Sequence, residues 1–187
     1  MKLGLISDTH GAVAPVRTLL AGAFAGADLV LHAGDVLYHG PRNPLPASYN
    51  PAQLAEVINT SPAPFLIARG NCDSNVDEAV INAPLLAPYA LVQWEGLRIL
   101  VNHGDLCSRK ELASEAKRLG ARIALFGHIH IPVLEEVKGV LLVNPGSPSL
   151  PKYEVEGQLV PTYGLIEAGR VVLRRLDSDK KLFSAEI

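Results

Sequence analysis

The sequence predicts an α/β fold, and three observations carry that expectation. Short apolar runs alternate with helical stretches in the first part of the chain. Each of those runs stops at once on glycine, aspartate, asparagine or histidine. In the second half, turn dipeptides join further apolar runs. A chain of 187 residues has the length of one ordinary domain, so we expect a single domain over 1–187, undivided by any repeat, low-complexity segment or linker.

The elements follow in order. Lys2–Ser7 runs apolar into Asp8 and reads as the first buried strand. Pro15–Ala25 carries Val16, Leu19, Leu20 and Phe24 at helical spacing. Leu29–Ala33 is a second strand, ending on Gly34-Asp35. The Pro-rich stretch Pro41–Pro51 is broken by aromatic and apolar residues and reads as a structured loop. Pro51–Asn59 is a helix with proline in its first turn, where the missing donor costs little. Phe65–Arg69 is a strand ending on Gly70-Asn71, and Arg98–Asn102 another ending on His103-Gly104. Ser108-Arg109-Lys110-Glu111 is a capping box that opens a helix to Leu119. Ile123–Phe126 runs into Gly127-His128, and Pro145–Pro161 reads as a second structured loop. Glu95-Gly96, Lys138-Gly139 and Ala168-Gly169 are hairpin turns, so further antiparallel strands extend or cover the first sheet.

Composition excludes several function classes. Apolar residues make up 48% and charged residues 19%, too much core material for a disordered chain. Seventeen Lys and Arg against nineteen Asp and Glu leave a net charge of −2, so extended binding along a nucleic-acid backbone is not expected. No apolar run approaches the ~18 residues of a membrane span, and the N-terminal apolar segment is shorter than a secretory leader. Cys72 and Cys107 show no metal-ribbon or disulfide spacing. We expect a protein of the cytoplasm that does not engage membranes, and a homo-oligomer is compatible with the sequence.

The strand ends carry the chemistry. They offer Asp8-x-His10, Asp35, Asn71-Cys72-Asp73, His103 and His128-x-His130. Ligands of open α/β sheets bind outside the carboxyl ends of the strands, so these loops converge on one crevice. Carboxylates and imidazoles crowded there repel or lack partners unless a cation joins them. Mixed oxygen and imidazole donors suit manganese, iron or zinc. Seven candidate ligands exceed the needs of one catalytic ion, so a pair is expected, with Asp35 as the bridge. His32 lies inside an apolar run and is expected to be a satisfied strand histidine. Cys107, Tyr89 and Trp94 are expected to pack.

With these motifs in hand, the sequence resembles the calcineurin-like metallophosphoesterases, whose order D-x-H, G-D, G-N-[HC]-[DE], H-G and G-H-x-H stands here as Asp8-Thr9-His10, Gly34-Asp35, Gly70-Asn71-Cys72-Asp73, His103-Gly104 and Gly127-His128-Ile129-His130. Gly34–Asn43 and Asn144-Pro145-Gly146-Ser147 resemble a subgroup of small bacterial phosphodiesterases. The resemblance implies an αββα sandwich of two packed mixed sheets flanked by helices. It implies a first metal on Asp8, His10, Asp35 and His130 and a second on Asp35, Asn71, His103 and His128. The ions would be two divalent cations, manganese first, with zinc, iron or nickel as alternatives.

The implied reaction is hydrolysis of a small phosphate ester, most simply a diester, by a hydroxide bridging the two ions. Asn71, Cys72 and Asp73 form the expected catalytic loop. Asn71 would orient substrate or ion, while Asp73 and Asp105 would orient histidine rings. Cys72 stands where most of the larger family has a leaving-group histidine. A thiol near its usual ~8.5, lowered further by a cationic neighbour, is a poor acid for an alcohol. His39 and Arg42 are candidates for contact with the substrate. The alternative is a non-catalytic protein-binding scaffold of the same fold, as in the retromer subunit, which would show eroded ligands. A mononuclear zinc hydrolase of the lactamase type would need a compact H-x-H-x-D-H cluster, which is absent.

Overall fold

Apolar β-branched and leucine-rich segments bury both faces where they form parallel strands, and that pairing dominates the computed structural model, which describes residues 1–187. Strands β1 (Lys2–Ile6), β2 (Leu29–His32), β3 (Phe65–Ala68) and the two-residue β4 (Leu85–Leu86) run parallel in that order. A C-terminal meander, β12 (Thr162–Glu167), β13 (Arg170–Arg175) and β14 (Lys181–Glu186), joins β1 antiparallel and completes a seven-stranded sheet. The second sheet has five strands, ordered β5 (Ala90–Trp94), β6 (Leu97–Val101), β7 (Ile123–Leu125), β9 (Val140–Pro145) and β8 (Pro132–Val137). Its three central members are parallel and its two edges antiparallel.

The sheets pack face to face. Leu3, Leu5 and Leu31 of one meet Ile99, Val101, Ile123 and Leu125 of the other in an apolar layer that excludes water. On the outer face of the first sheet lie α1 (Val13–Ala21) and α2 (Pro51–Asn59), anchored by Val16, Leu19 and Leu54. On the outer face of the second lies α4 (Arg109–Arg118), anchored by Leu112, Ala113 and Ala116. The layers are therefore helix, sheet, sheet, helix, as the sequence leads us to expect. No helix is long and apolar enough to cross a membrane.

All three dipeptide turns form hairpins, and each holds both residues at positive φ, the mirror-image turn that suits strand twist. Two of them build the sheet that covers the first, and Ala168-Gly169 extends the first. Other details differ from expectation. The first helix starts at Val13 and stops at Ala21, not 15–25: Pro15 fits in the first turn and Gly22 ends the ladder, while Phe24 packs beyond it. A short helix α3 (Asn75–Val80), opened by a Ser74/Asp77 capping box, was not expected, because six residues are too few for Val76, Ala79 and Val80 to show as a repeating pattern. The loop after Pro145 contains a small hairpin, β10 (Glu154–Val155) with β11 (Gln158–Leu159), around Glu156-Gly157.

Candidate metal centre

Loops at the carboxyl ends of β1, β2, β3, β6 and β7 meet where the two sheets join, stitched by Asp8 N–H to Gly34 O (3.0 Å) and by His128 N–H to the Asp8 carboxylate (3.0 Å). Two glycines permit the approach. A Cβ on Gly127 would collide with the Ser7 hydroxyl, and one on Gly70 with the Asp35 carboxylate. Asp8, His10, Asp35, His128 and His130 all adopt positive φ, between 45° and 69°, a region that non-glycine residues rarely occupy outside functional sites.

Three of the four imidazoles are aimed by backbone carbonyls. His10 Nδ1–H donates to Tyr38 O (2.8 Å), His130 Nδ1–H to Leu150 O (2.6 Å), and His103 Nδ1–H to Ala33 O (2.7 Å). Burial lowers the pKa of His10 and takes that of His130 down to about 4, so both rings are neutral at pH 7 and their Nε2 atoms carry lone pairs. Those two nitrogens face each other at 3.2 Å. Asp8 Oδ1 lies 3.4 Å from His130 Nε2 and 3.9 Å from His10 Nε2, and Asp35 Oδ2 lies 3.7 Å from His10 Nε2. Four acceptors thus converge with no proton between the two imidazoles, an arrangement that a cation relieves.

A second group adjoins it. His103 Nε2 (3.1 Å) and His128 Nδ1 (2.9 Å) both converge on Asn71 Oδ1, and Asp35 Oδ1 is 3.4 Å from His103 Nε2. Asp35 therefore presents one oxygen to each group. Burial pushes Asp8 up to about 7, against the pull of His103. Burial alone would also raise Asp35, but its hydrogen bond and charge contact with His103 outweigh it and hold the carboxyl well below the usual range. Burial likewise opposes charge on His103, yet Asp35 and Asp8 raise it to about 9. The protein balances its own carboxylates with a protonated His103. That donor set, oxygen and imidazole at short range with no thiolate cluster, fits divalent ions of the manganese, iron or zinc kind.

A family model described as the calcineurin-like phosphoesterase superfamily domain matches residues 1–169. The chain belongs to that superfamily. It is 38% identical over 168 residues to phosphodiesterase YfcE of Escherichia coli strain K12, covering 89% of this chain and 88% of the relative. It is 30% identical to the probable metallophosphoesterase YsnB of Bacillus subtilis strain 168, covering 81% and 78%. Among solved structures, the E. coli YfcE phosphoesterase superposes with a TM-score of 0.86 at 32% identity over the whole of both chains. Vps29 of Entamoeba histolytica, complexed with zinc, superposes at 0.71 over 100% and 99%, but at 20% identity it speaks for the fold alone. The chain is a metal-dependent hydrolytic phosphoesterase.

Other residues of the phosphoesterase divide into cleft and support. A cleft of about 1100 Å³ opens over the centre and is lined by Arg42, Asn71, Cys72, His128, His130 and Lys152, among others. His39 is not among its walls: its ring sits edge-on between Tyr38 (4.8 Å) and Tyr49 (5.3 Å). Lys152, which the motif reading missed, is placed by its N–H donating to His130 O (3.1 Å). Nothing in its local sequence distinguishes it from a surface lysine.

Asp73 corrects a second expectation. Its carboxylate orients no histidine; it accepts N–H bonds from Asp35 (2.8 Å), Val36 (2.7 Å) and Gly70 (2.7 Å) and so ties two ligand loops together. Asp105 makes no hydrogen bond to a histidine ring either; burial and the His103 charge lower the pKa of His128, and the Asp105 charge offsets this only in part. Backbone carbonyls take that role because the ligand loops pass close to the strand ends.

Asn144 and Ser147 buttress the site: Asn144 Nδ2 donates to Gly127 O (2.7 Å), and Ser147 Oγ to Asp8 O (2.8 Å). His32 is satisfied, as expected. Gly34 N–H donates to its Nδ1 (3.1 Å) and its Nε2–H faces Thr9 Oγ1 (3.0 Å), while burial lowers its pKa to about 3. Cys72 departs from expectation, since burial and then the Asp35 charge push its thiol up to about 12. Its N–H donates to Asp35 Oδ1 (2.8 Å).

Proposed function

We propose that this phosphoesterase hydrolyses small phosphodiesters at a centre of two divalent ions, manganese first, with zinc, iron or nickel as alternatives. The single observation that carries the reading is the opposition of His10 and His130 lone pairs at 3.2 Å beside Asp8, next to a second converging group that shares Asp35. Asp8, His10, Asp35 and His130 would hold one ion, and Asp35, Asn71, His103 and His128 the other. Ions held by these residues would supply Lewis acidity, lowering the pKa of bound water and offsetting charge on a phosphoryl group.

The protein's own groups do the rest. Burial keeps His10 and His130 neutral, and their Nδ1–H donations fix the tautomer that leaves Nε2 with its lone pair. His103 releases its proton when it becomes a ligand. Arg42 and Lys152 at the mouth supply the only cationic side chains lining the cleft and suit the phosphate of the substrate. With its pKa raised to about 12, the Cys72 thiol is a weak general acid near neutral pH, so leaving groups that depart without a proton are favoured. The diester preference is supported by the E. coli relative named a phosphodiesterase, and two unpaired cysteines fit the cytoplasm.

The test is a panel of phosphomonoesters and phosphodiesters, with metal-stripped protein re-supplied with manganese, zinc, magnesium or nickel. Aryl diesters should be the best substrates and manganese should restore more turnover than magnesium. Absence of hydrolysis with every metal would leave the scaffold reading in its place.

A further inference from the structure

Beside the metal cleft lies a groove of about 690 Å³ between α2 and α3. The two cavities share walls: Tyr38 and Ser74 line both. The Tyr38 carbonyl holds the His10 ring, and Ser74 follows the Cys72-Asp73 loop, so the groove begins at the candidate centre. Its lining is apolar, and the side chains are left in water: Tyr38 is 44% exposed, Val76 69% and Val80 45%. An exposed apolar strip of this kind on a soluble chain marks a binding surface, and the volume suits a small-molecule group.

Charge narrows the occupant. The groove holds no lysine or arginine, and its carboxylates are Glu56 and Asp77, the latter engaged by the Ser74 N–H (2.8 Å). An anionic arm is repelled there, whereas the cleft next door offers Arg42 and Lys152 to a phosphate. A second cavity of about 800 Å³ near Leu106, which is 89% exposed, shares no lining residue with the cleft.

We propose that the α2–α3 groove is a subsite for an uncharged apolar ester arm, alkyl or aryl, of a phosphoester whose phosphate lies in the metal cleft. The assignment rests on the cleft being the phosphate site, as proposed above. It makes the enzyme selective for diesters with one greasy arm over those whose arms carry further phosphates.

The probe is a series of n-alkylphosphonates, methyl to octyl, whose P–C bond is not hydrolysed and whose single arm has one place to go. Binding to manganese-loaded protein is measured by calorimetry. Each methylene entering the groove should tighten binding about two- to fourfold, levelling off once the groove is filled. Val76→Asp places a carboxylate on a residue already largely in water, and in the first turn of α3, where acids are tolerated. It should flatten the chain-length dependence and leave methylphosphonate binding unchanged. Ala52→Trp, on the exposed wall at α2, should flatten it by filling the space.

A flat series in the wild type overturns the proposal, as does a steep series that both variants leave intact, which would send the arm elsewhere, the Leu106 cavity included. A wild-type dimer that Val76→Asp converts to monomer in sedimentation also overturns it, because a second copy would then fill the groove. If the series behaves as expected while no phosphodiester is hydrolysed, the groove stands and the catalytic reading fails.

Discussion

His10 and His130 meet lone pair to lone pair, while a few ångströms away His103 holds an extra proton between Asp35 and Asn71. Metal ligation needs that proton gone. With His103 at about 9 and Asp8 at about 7, at pH 7 the first is nearly fully protonated and the second about half. Loading with manganese at pH 7 should therefore release roughly one to two protons per chain. Affinity should climb as pH rises from 6 to 9, because both groups bind protons in competition with the ion, and should level off above 9. Calorimetric titration in buffers of different ionisation enthalpy measures the release directly; zero net release at pH 7 would mean that His103 is not a ligand. Cys72 gives a second prediction at this scale. Cys72→Ala should hydrolyse an aryl diester within about tenfold of wild type, since an aryl oxide departs unprotonated and acid assistance is typically worth ~10²–10⁴. Cys72→His should favour alkyl esters selectively, by supplying a proton to the worse leaving group. A collapse of aryl-ester turnover in Cys72→Ala at unchanged metal content would show that the thiol is catalytic.

Among elements, the loop between β3 and α3 does the most positioning. Asp73 accepts three backbone N–H bonds and Arg69 reaches Asn75 (3.0 Å) and Glu78 (3.2 Å), so Gly70–Asp73 is held from both sides. Asp73→Ala leaves those donors buried without an acceptor, at a cost of about 1–3 kcal/mol each when unrelieved. We expect a loss of at least ~3 kcal/mol in denaturant unfolding of metal-free protein, together with weaker metal retention. Unchanged stability with a shifted pH profile would instead indicate the histidine-orienting role expected from the sequence. Sequence spacing suggests that role because it shows which residues share a loop but not which backbone atoms a carboxylate there will meet. The central parallel strands, α2 and α4 were legible to within a residue or so, because apolar runs and caps mark their ends. α3 was not, since its six residues are too few for a periodic pattern to stand out, and Arg69 and the Ser74/Asp77 box order it.

For the whole molecule, two sheets with parallel centres stack so that their strand ends open on the same side, and five loops far apart in sequence share one crevice. The set is legible in the sequence, because five strand ends carrying metal-competent residues have no packing explanation. The supports are less so: Lys152 acts through tertiary proximity with no local pattern to announce it, and the Asn144–Ser147 motif gives no sign that the Ser147 hydroxyl holds Asp8 O. The central claim is that Asp35 serves two ions at once, one oxygen toward His10 (3.7 Å) and one toward His103 (3.4 Å). Elemental analysis of bound manganese in Asp35→Asn, beside Asp8→Asn and wild type and paired with turnover of an aryl diester, tests it most directly. The account predicts about two ions per chain in wild type, a larger loss of metal in Asp35→Asn than in Asp8→Asn, and no activity in Asp35→Asn. Two ions per chain and wild-type turnover in Asp35→Asn would contradict it.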